Sequence, residues 1–482
     1  MMKKSTTKKK RSKNQKVVPH SFQILAEPMH DIIQWQEYSR AYLKAEPQII
    51  NAGEWPIQLH ACAPNNSQLE TLMVLLGPLE SPNLYKHLAE KLYLKYNLLF
   101  VSLPSLGGNS AIDFKDNRWD LKSLSEFVQW LGQNQDMQSF HLMGASAAAN
   151  VALHAAIAMP EQIKSLCLTG MSHRPGKIWQ MLFNQVGKSL QSEALLDCAD
   201  AALLYLVNDE ILIQKRSWGV FRNYFRAKIQ AFGPQQTQSF QSLIAAILKG
   251  DQLHNDNEKE TPRCPVIAFT GEYDHLTSPH DHAEFIDSCI KGTFATVDDA
   301  DHLLHVEKPH VVAELVDEFL ESTQQSKPLK EIEGAHIYPP QSFLQFDRRR
   351  DPRYVSQRPK VKVETSGILV PEGWEEEVPQ SLPARLRNIN FSGCLIEIHD
   401  NRFTIDPQVR DIKLHLIQAN LEMRVLAFEQ VNKSLRCLFF HESYEKAVAF
   451  REILEYGEYF VDADLEADLR DDYDLPKSSN YS

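Results

Sequence analysis

Short, continuous apolar runs alternate with segments of helical spacing over the first two thirds of the chain. Residues 84–94 and 309–320 have the spacing of amphipathic helices. Strands that are apolar throughout are typical of a parallel sheet with helices on both faces. The pattern therefore predicts an α/β fold. The apolar runs are Thr71 to Leu76, Asn97 to Leu103, Ile163 to Thr169 and Pro265 to Thr270, and we predict further strands over Glu54 to Cys62 and Thr293 to Val297.

Residues 173–260 interrupt this alternation within a predicted domain that spans 20–325. They have helical periodicity and no convincing strand, so we predict a helical cap inserted over the sheet. Aromatic residues of the cap either line a substrate pocket or pack the cap onto the body, and the sequence leaves both alternatives open. They are Trp179, Phe183, Trp218, Phe221, Tyr224 and Phe225.

Composition changes this picture mainly at the two ends of the chain. The 482 residues carry a net charge of −12, and 43% are hydrophobic and 24% charged, as expected of a soluble globular protein. Residues 1–16 are strongly basic and residues 455–474 strongly acidic, so we predict disordered tails over 1–19 and 457–482. We favour a solvated basic tail over one that binds anionic lipid or nucleic acid.

The expected location follows from cysteine usage and from the apolar segments. Seven scattered cysteines without a C-x-x-C pair favour reduced thiols in a cytoplasm. Residues 137–160 lack charge, but polar side chains interrupt them and argue against a membrane span. No apolar signal segment follows the basic N-terminus. We therefore expect a cytoplasmic protein without a membrane span.

A serine lies where an apolar run meets a small-residue helix. The sequence G-A-S-A-A over 144–148 is a variant of the G-x-S-x-G turn, which exposes a serine hydroxyl between a buried strand and a helix. The turn is crowded, so the residues two before and two after Ser146 must be small. Taken alone, the pattern also fits a structural serine at a helix start.

A serine hydroxyl reacts only if a base takes its proton and an acid orients that base. Asp274 and His302 each follow one of the last two apolar runs, where the carboxyl ends of strands would place them. We therefore predict Ser146 as the nucleophile, Asp274 as the acid and His302 as the base. The alternatives are His305 as the base and Asp299 or Asp301 as the acid, although an acid so close in sequence to His302 is badly placed to reach its ring.

Residues 50–322 resemble the α/β-hydrolase superfamily. The Ser146 turn, the G-x-x-D loop over 271–274 and the H-x-x-x-x-E-x-P sequence over 302–309 match the family in type, order and spacing. The resemblance implies a serine-dependent acyl hydrolase for an ester or thioester, with no metal or organic cofactor in catalysis. His280 and His282 lack a third ligand at a known spacing, so we predict that they are surface residues rather than metal ligands.

Acyl transfer also needs N–H donors that bind the oxyanion. In this family one donor follows the nucleophile, here Ala147, and the other comes from the loop after an early strand, here 75–78. If Gly77 matches the family's glycine, the donor position falls on Pro78, which has no N–H. If the register is one residue earlier, Gly77 itself donates. We predict an oxyanion hole formed by Ala147 and Gly77.

A second module follows a polar, proline-containing segment that we predict to be a linker over 326–345. Residues 348–353 contain four arginines, and guanidinium groups suit phosphate. Several short strands then precede a helix from Tyr444 to Tyr456, which indicates a small β-barrel over 346–456. The predicted strands are Lys360 to Glu364, Ala384 to Arg387, Cys394 to Ile398, Val409 to Leu416, Glu422 to Ala427 and Leu435 to Phe440.

Residues 346–456 resemble the PilZ domain, which binds the bacterial messenger cyclic di-GMP. The family's R-x-x-x-R matches Arg349 to Arg353, and its [D/N]-x-S-x-x-G matches Asn388 to Gly393, with Asn390 in place of the serine. The resemblance implies that the arginines hold phosphates and a guanine face and that the second motif bonds the other guanine. The alternative is a degenerate barrel whose basic loop is a solvated linker end or contacts RNA.

These patterns together predict a bacterial serine hydrolase regulated by cyclic di-GMP through its PilZ domain. The expected partners are cyclic di-GMP and a small acyl substrate, and we expect no nucleic acid. The alternative is a catalytically inactive hydrolase fold that responds to cyclic di-GMP by binding a protein partner, for example in motility or surface attachment. The loop over 75–78 is the feature that favours this alternative.

Overall fold

The computed structural model of this protein describes most of the N-terminal two thirds and the strands of the C-terminal part. The longer described segments are 32–52, 55–64, 68–103, 121–135, 137–171, 195–206, 218–234, 261–274, 276–345, 381–391, 393–399, 420–440 and 444–456. Shorter ones are 186–187, 190, 236–238, 240–241, 354–356, 360–364, 368–369, 404–405, 412–416 and 460–462.

Nine strands form one sheet in the N-terminal part. They are β1 (Gln48–Ala52), β2 (Trp55–Cys62), β3 (Thr71–Leu76), β4 (Asn97–Ser102), β5 (Phe140–Ala145), β6 (Ile163–Thr169), β7 (Val266–Gly271), β8 (Gly292–Val297) and β9 (Ala335–Tyr338). Their order is β1-β2-β4-β3-β5-β6-β7-β8-β9. Strands β3 to β8 run parallel, and β1, β2 and β9 make the antiparallel pairings. The predicted α/β fold with a mostly parallel sheet is confirmed.

Helices cover both faces of this sheet. The helices of the N-terminal part are α1 (Lys86–Leu92), α2 (Leu121–Asn134), α3 (Ala147–Ala158), α4 (Leu195–Leu206), α5 (Trp218–Gln230), α6 (Pro279–Ser288), α7 (Leu304–Glu307), α8 (Pro309–Gln325) and α9 (Pro340–Phe343). One apolar cluster lies between the sheet and α2, α3 and α6, and a second lies between the sheet and α1 and α8. This two-sided packing explains why β3 and β5 are buried at every position. Within the described residues, no helix has both the length and the apolar character needed to cross a bilayer.

Helices α4 and α5 belong to the predicted cap. Their apolar cluster includes Ile229 and extends to Leu276, in the loop after β7. Of the six cap aromatic residues, Tyr224 is the one whose side chain is described, and the other five lie outside the described side chains. Tyr224 packs against Leu203 of α4 and Leu303 of the loop after β8. The described part of the cap therefore lies against the loops that follow β7 and β8.

The segment 326–345, which we predicted to be a linker, instead adds to the sheet. Strand β9 pairs antiparallel with β8, with Ala335 opposite Val297. Phe343 of α9 is 2% exposed, and its ring lies 4.9 Å from that of Phe294 in β8. The linker prediction was wrong because it relied on the prolines and charged residues of this segment, which also contains a short edge strand and one buried aromatic residue.

The C-terminal part forms an antiparallel barrel and a separate two-stranded sheet of β12 with β15. The strands of this part are β10 (Tyr354–Ser356), β11 (Lys360–Glu364), β12 (Ile368–Leu369), β13 (Ser381–Ile389), β14 (Gly393–Ile398), β15 (Thr404–Ile405), β16 (Ile412–Leu416), β17 (Leu421–Val431), β18 (Ser434–Phe440) and β19 (Phe460–Asp462), and α10 (Tyr444–Tyr456) follows β18. The order is β11-β16-β17-β18-β14-β13, and β13 pairs again with β11, so these strands close on themselves. Residues 460–462, which we predicted to lie in a disordered tail, pair as β19 with β10.

We predict that Phe343→Ala lowers the free energy of unfolding of the N-terminal part by about 3 to 5 kcal/mol, because the substitution removes a buried ring from the main core. Urea unfolding of the full chain, followed by tryptophan fluorescence, measures the change. Gln345→Ala, at an exposed position two residues later, serves as the control and should change little. Equal small effects of both substitutions would mean that this segment does behave as a linker.

Candidate active site

Ser146 lies at the sharp turn between β5 and α3. Its φ of 52° and ψ of −123° fall in a region that residues other than glycine rarely adopt. A Cβ at Gly144 would lie 2.5 Å from the carbonyl oxygen of Ala148, so the strand and the helix approach this closely only because Gly144 has no side chain. The Ser146 N–H donates to the carbonyl of Thr169 in β6 at 2.8 Å. The turn thus places the Ser146 hydroxyl at the carboxyl end of β5.

His302, in the loop after β8, reaches the Ser146 hydroxyl. Its Nε2 lies 2.9 Å from Oγ of Ser146, and its side chain is fully buried. Gly170, with a φ of +59°, lies beside the imidazole ring, and a Cβ there would be 2.8 Å from Cε1 of His302. The glycine turn after β6 therefore leaves the space that the imidazole occupies.

Asp274, in the loop after β7, holds the other side of His302. His302 Nδ1 lies 3.0 Å from its Oδ2. The backbone N–H groups of Leu276 and Thr277 donate to Oδ1 at 3.0 and 2.8 Å, and the hydroxyls of Thr270 and Thr277 donate to Oδ2 at 3.0 and 2.7 Å. Burial alone would raise the pKa of Asp274, but the charge of His302 and these hydrogen bonds hold it well below its usual range. Asp274 therefore remains a carboxylate that can stabilise a positive charge on His302.

The alternative base and acids occupy other places. His305 stacks on the ring of Tyr85 with centroids 4.8 Å apart, and burial together with the charge of His302 lowers its pKa to about 3. Asp299 lies at an exposed turn with a φ of 48°. Asp301 is buried, and it is Asp274 that lies within hydrogen-bond distance of Nδ1 of His302. The structure thus brings the three residues of the predicted triad together.

Glu307 supports the loop that carries His302. Its Oε2 accepts the N–H of Asp301 at 2.9 Å, and its Oε1 accepts the N–H of Leu303 at 3.1 Å. Burial and the charge of Asp301 raise the pKa of Glu307 to about 7. Glu307 binds the backbone on both sides of His302, which explains why a glutamate follows the histidine at the H-x-x-x-x-E spacing.

The two predicted oxyanion donors differ in their surroundings. The N–H of Ala147 is the first of α3, where the helix itself supplies no acceptor. Gly77 follows β3 directly, and its N–H donates at 2.6 Å to Oε2 of Glu80 in the same turn. The second predicted donor is therefore bonded to a carboxylate of the protein.

Glu80 is a site residue that the sequence did not reveal. Its side chain is 8% exposed and accepts a hydrogen bond of 3.0 Å from the Tyr85 hydroxyl, while Nε2 of His305 lies 3.1 Å from Oε1 but outside hydrogen-bond alignment. Burial raises the pKa of Glu80 to about 7, although the Gly77 N–H, the Tyr85 hydroxyl and the charge of His302 oppose the rise. A glutamate in a polar, proline-flanked loop gives no sequence signal of burial.

His280 and His282, which we predicted to be surface residues, are buried. The N–H of Met171, just after β6, donates to Nε2 of His282 at 3.1 Å, and Nδ1 of His282 lies 3.1 Å from the carbonyl oxygen of Ser278. The prediction was wrong because α6 packs this face against the sheet and the loop after β6. Over the residues that the structure describes, no cluster of His, Cys, Asp and Glu side chains could hold a metal ion.

The residues predicted to bind cyclic di-GMP are described only in part. Arg349 and Arg353 lie outside the described residues. Asn388 and Asn390 lie at the end of β13 and in the turn before β14, where Oδ1 of Asn390 accepts the Gly393 N–H at 2.7 Å. A Cβ at Gly393 would lie 2.3 Å from the carbonyl oxygen of Cys437 on β18, the residue that pairs with Cys394. Asn390 and Gly393 thus have structural roles in this hairpin.

The sheet order and the hydrogen-bonded serine, histidine and aspartate define an α/β-hydrolase fold. Residues 71–309 match the family model described as alpha/beta hydrolase fold, so this part of the chain is an α/β-hydrolase domain. The family models match no PilZ domain in this chain. No curated protein matches the sequence.

Solved structures of low sequence identity are similar to part of this chain. An alpha/beta hydrolase enzyme from a Medee basin deep-sea metagenome library has a TM-score of 0.52 and 14% identity, and the match covers 59% of this chain and 100% of that chain. The enol-lactonase from Burkholderia xenovorans has a TM-score of 0.48 and 15% identity, with 56% and 98% covered. A thermophilic esterase from Thermogutta terrifontis has a TM-score of 0.47 and 18% identity, with 58% and 99% covered.

We predict that Glu80→Gln flattens the pH dependence of folding stability. In the folded protein the pKa of Glu80 is about 7, above its ordinary value of 4.5, so the folded state binds this proton more tightly. The stabilisation is fully present below the unfolded pKa and is lost as the pH rises through 7, a loss on the order of 3 kcal/mol. Urea unfolding of wild type and variant across this pH range measures the difference, and parallel pH curves would contradict the prediction.

Proposed function

We propose that the N-terminal part of this protein is a serine hydrolase that cleaves an ester or thioester. The observation that carries the proposal is the position of His302, whose two ring nitrogens lie 2.9 Å from Oγ of Ser146 and 3.0 Å from Oδ2 of Asp274. A serine activated in this way is a nucleophile for acyl carbonyls. The hydrolase fold supports the same chemistry, although the fold alone does not specify a substrate.

In the proposed reaction, Oγ of Ser146 attacks the acyl carbon while Nε2 of His302 takes the hydroxyl proton. The bond to the leaving oxygen or sulfur then breaks, and His302 returns the proton to that atom. Water attacks the resulting acyl-enzyme by the same proton route and releases the acid and Ser146. Asp274 keeps Nδ1 of His302 protonated and stabilises the imidazolium. No metal or organic cofactor enters this mechanism.

Reaction with a fluorophosphonate probe tests the proposal, because only an activated serine displaces the fluoride quickly. The wild-type protein should label at a single site, and Ser146→Ala should abolish both labelling and the hydrolysis of p-nitrophenyl esters. Mass spectrometry of the labelled peptide identifies the modified residue. Labelling that persists in the Ser146→Ala protein would overturn the proposal.

A second arm of the same experiment tests His302 as the base. Gly170→Ala adds a methyl group that would lie 2.8 Å from Cε1 of His302 and displace the ring. Labelling of Ser146 should slow by about 10²-fold, the cost of a displacement on the order of 1 Å. Gly233→Ala adds the same methyl group where no atom lies within 4 Å and should leave the rate unchanged.

The second candidate function is a catalytically inactive hydrolase fold that binds a protein partner. The observation that favours it is the 2.6 Å hydrogen bond from the Gly77 N–H to Glu80, which occupies a predicted oxyanion donor. Loss of one such donor costs about 10²- to 10³-fold in rate. The absence of any Ser146-dependent labelling would favour this function over hydrolysis.

We further propose that residues 346–456 bind cyclic di-GMP as a regulatory ligand, as their resemblance to the PilZ domain implies. The closed antiparallel barrel followed by α10 is compatible with that resemblance. Leu438 of β18 packs against the apolar cluster of the cap, which gives the proposed regulation a physical contact. A cytoplasmic location remains a prediction.

Calorimetric titration with cyclic di-GMP tests this ligand. The wild-type protein should bind with micromolar or tighter affinity, and a variant with Arg349→Ala and Arg353→Ala should lose binding because the guanidinium forks hold the phosphates. Lys291→Ala with Lys327→Ala is a matched control of equal charge change, because both lysines are exposed and lie outside residues 346–456. No heat of binding to wild type, or equal loss in both variants, would overturn the proposal.

A further inference from the structure

Gly77 and Glu80 form a turn that closes on itself directly after β3. The N–H of Glu80 donates to the carbonyl of Gly77 at 3.2 Å, and the carboxylate of Glu80 returns to accept the N–H of Gly77 at 2.6 Å. The first of these bonds suffices to close a turn. The second places an acidic side chain, 8% exposed, on the N–H that is available at the end of β3.

We propose that Glu80 is a positioning residue that withholds the Gly77 N–H from the reacting carbonyl until its carboxylate moves away. The proposal rests on the proposed hydrolase function of Ser146. A backbone N–H has one hydrogen to donate, so the Gly77 donor cannot serve the Glu80 carboxylate and a substrate oxyanion fully at the same time. Hydrogen bonds to a carboxylate are also stronger than those to a neutral acceptor, which favours the closed arrangement at rest.

Electrostatics favour the same conclusion. The reaction develops negative charge on the carbonyl oxygen, which an oxyanion hole stabilises with preorganised N–H dipoles. A buried carboxylate beside such a site opposes that charge, because screening by water is weak there. Glu80 is close enough to His302 for the charge of the imidazole to affect its pKa, so it lies within electrostatic reach of the reacting centre.

Several groups face Glu80 and hold it in place. The Tyr85 hydroxyl donates to Oε1 at 3.0 Å, and the Tyr85 ring stacks on His305, whose Nε2 lies 3.1 Å from the same oxygen. Burial raises the pKa of the Tyr224 hydroxyl on the cap helix α5, and the charge of Glu80 adds to that rise. Glu80 therefore lies where the sheet loops and the cap meet, and a substrate entering beneath the cap would be positioned to displace it.

The closing experiment compares wild type, Glu80→Ala and Tyr85→Phe in fluorophosphonate labelling and in p-nitrophenyl ester hydrolysis. Glu80→Ala frees the Gly77 N–H, so the labelling rate and kcat should rise between about 10- and 10²-fold. This increase does not exceed the rate enhancement that one oxyanion donor contributes. KM should change little, because the released donor acts on the transition state rather than on substrate binding. Tyr85→Phe keeps the ring stack but removes one hydrogen bond from Glu80, so it should raise kcat by a smaller factor.

Glu318→Ala is the matched control, since the Glu318 carboxylate on α8 also accepts a backbone N–H, that of Lys330, at 3.1 Å. This variant should keep wild-type kcat and KM. Unchanged or reduced kcat in folded Glu80→Ala and Tyr85→Phe, alongside Ser146-dependent labelling of wild type, would overturn the Glu80 proposal alone. Absence of labelling in wild type and in both variants would overturn the proposed hydrolase function, and the Glu80 proposal with it.

Discussion

The buried charge of Asp274 is the constraint on which the site depends. A carboxylate away from water is unfavourable unless hydrogen bonds and an opposite charge compensate it. Asp274 receives that compensation from two backbone N–H groups, from the hydroxyls of Thr270 and Thr277 and from the imidazole of His302. These groups come from the end of β7 and the loops after β7 and β8, so the parallel pairing of β7 with β8 is a requirement for the acid and the base to meet. Gly271 permits the contact, since a Cβ there would lie 2.3 Å from two carbonyl oxygens of the His302 loop.

Two buried carboxylates near His302 have opposite pKa shifts. Asp274 has donors on both oxygens together with the ring of His302, and its pKa is lowered. Glu80 has the Gly77 N–H and the Tyr85 hydroxyl, and its pKa is raised to about 7 because these two donors do not offset its burial. Such separation of two carboxyl groups by environment is how acid and base roles are distinguished in many active sites. In this site, Asp274 stays a carboxylate and supports the base, whereas Glu80 is a titratable group that accepts a hydrogen bond from the Gly77 N–H.

Apolar runs and short motifs allowed much of this arrangement to be predicted from the sequence. The bounds of β3 and β6 follow from buried runs that end at glycine or polar residues, and the three residues of the predicted triad lie together as their order and spacing indicated. Residues that act through local folding could not be predicted in the same way. Thr277 and Glu80 lie in polar loops, and only the closed geometry of each loop reveals what their side chains bind. Strand β9 was missed because its pairing depends on the free edge of β8 rather than on its own short sequence.

The hairpin between β13 and β14 shows why a motif alone does not establish a ligand. Asn390 and Gly393 close the turn and permit close approach to β18, so both residues have reasons to be present whether or not a nucleotide binds. The same hairpin is nevertheless close to the cap, because Gly393 pairs with Leu438 and the Leu438 side chain packs on the cluster that contains Leu276. The N–H of Leu276 in turn donates to Asp274. Coupling between a ligand on this hairpin and the catalytic residues would require that the ligand favour one of two arrangements of these contacts.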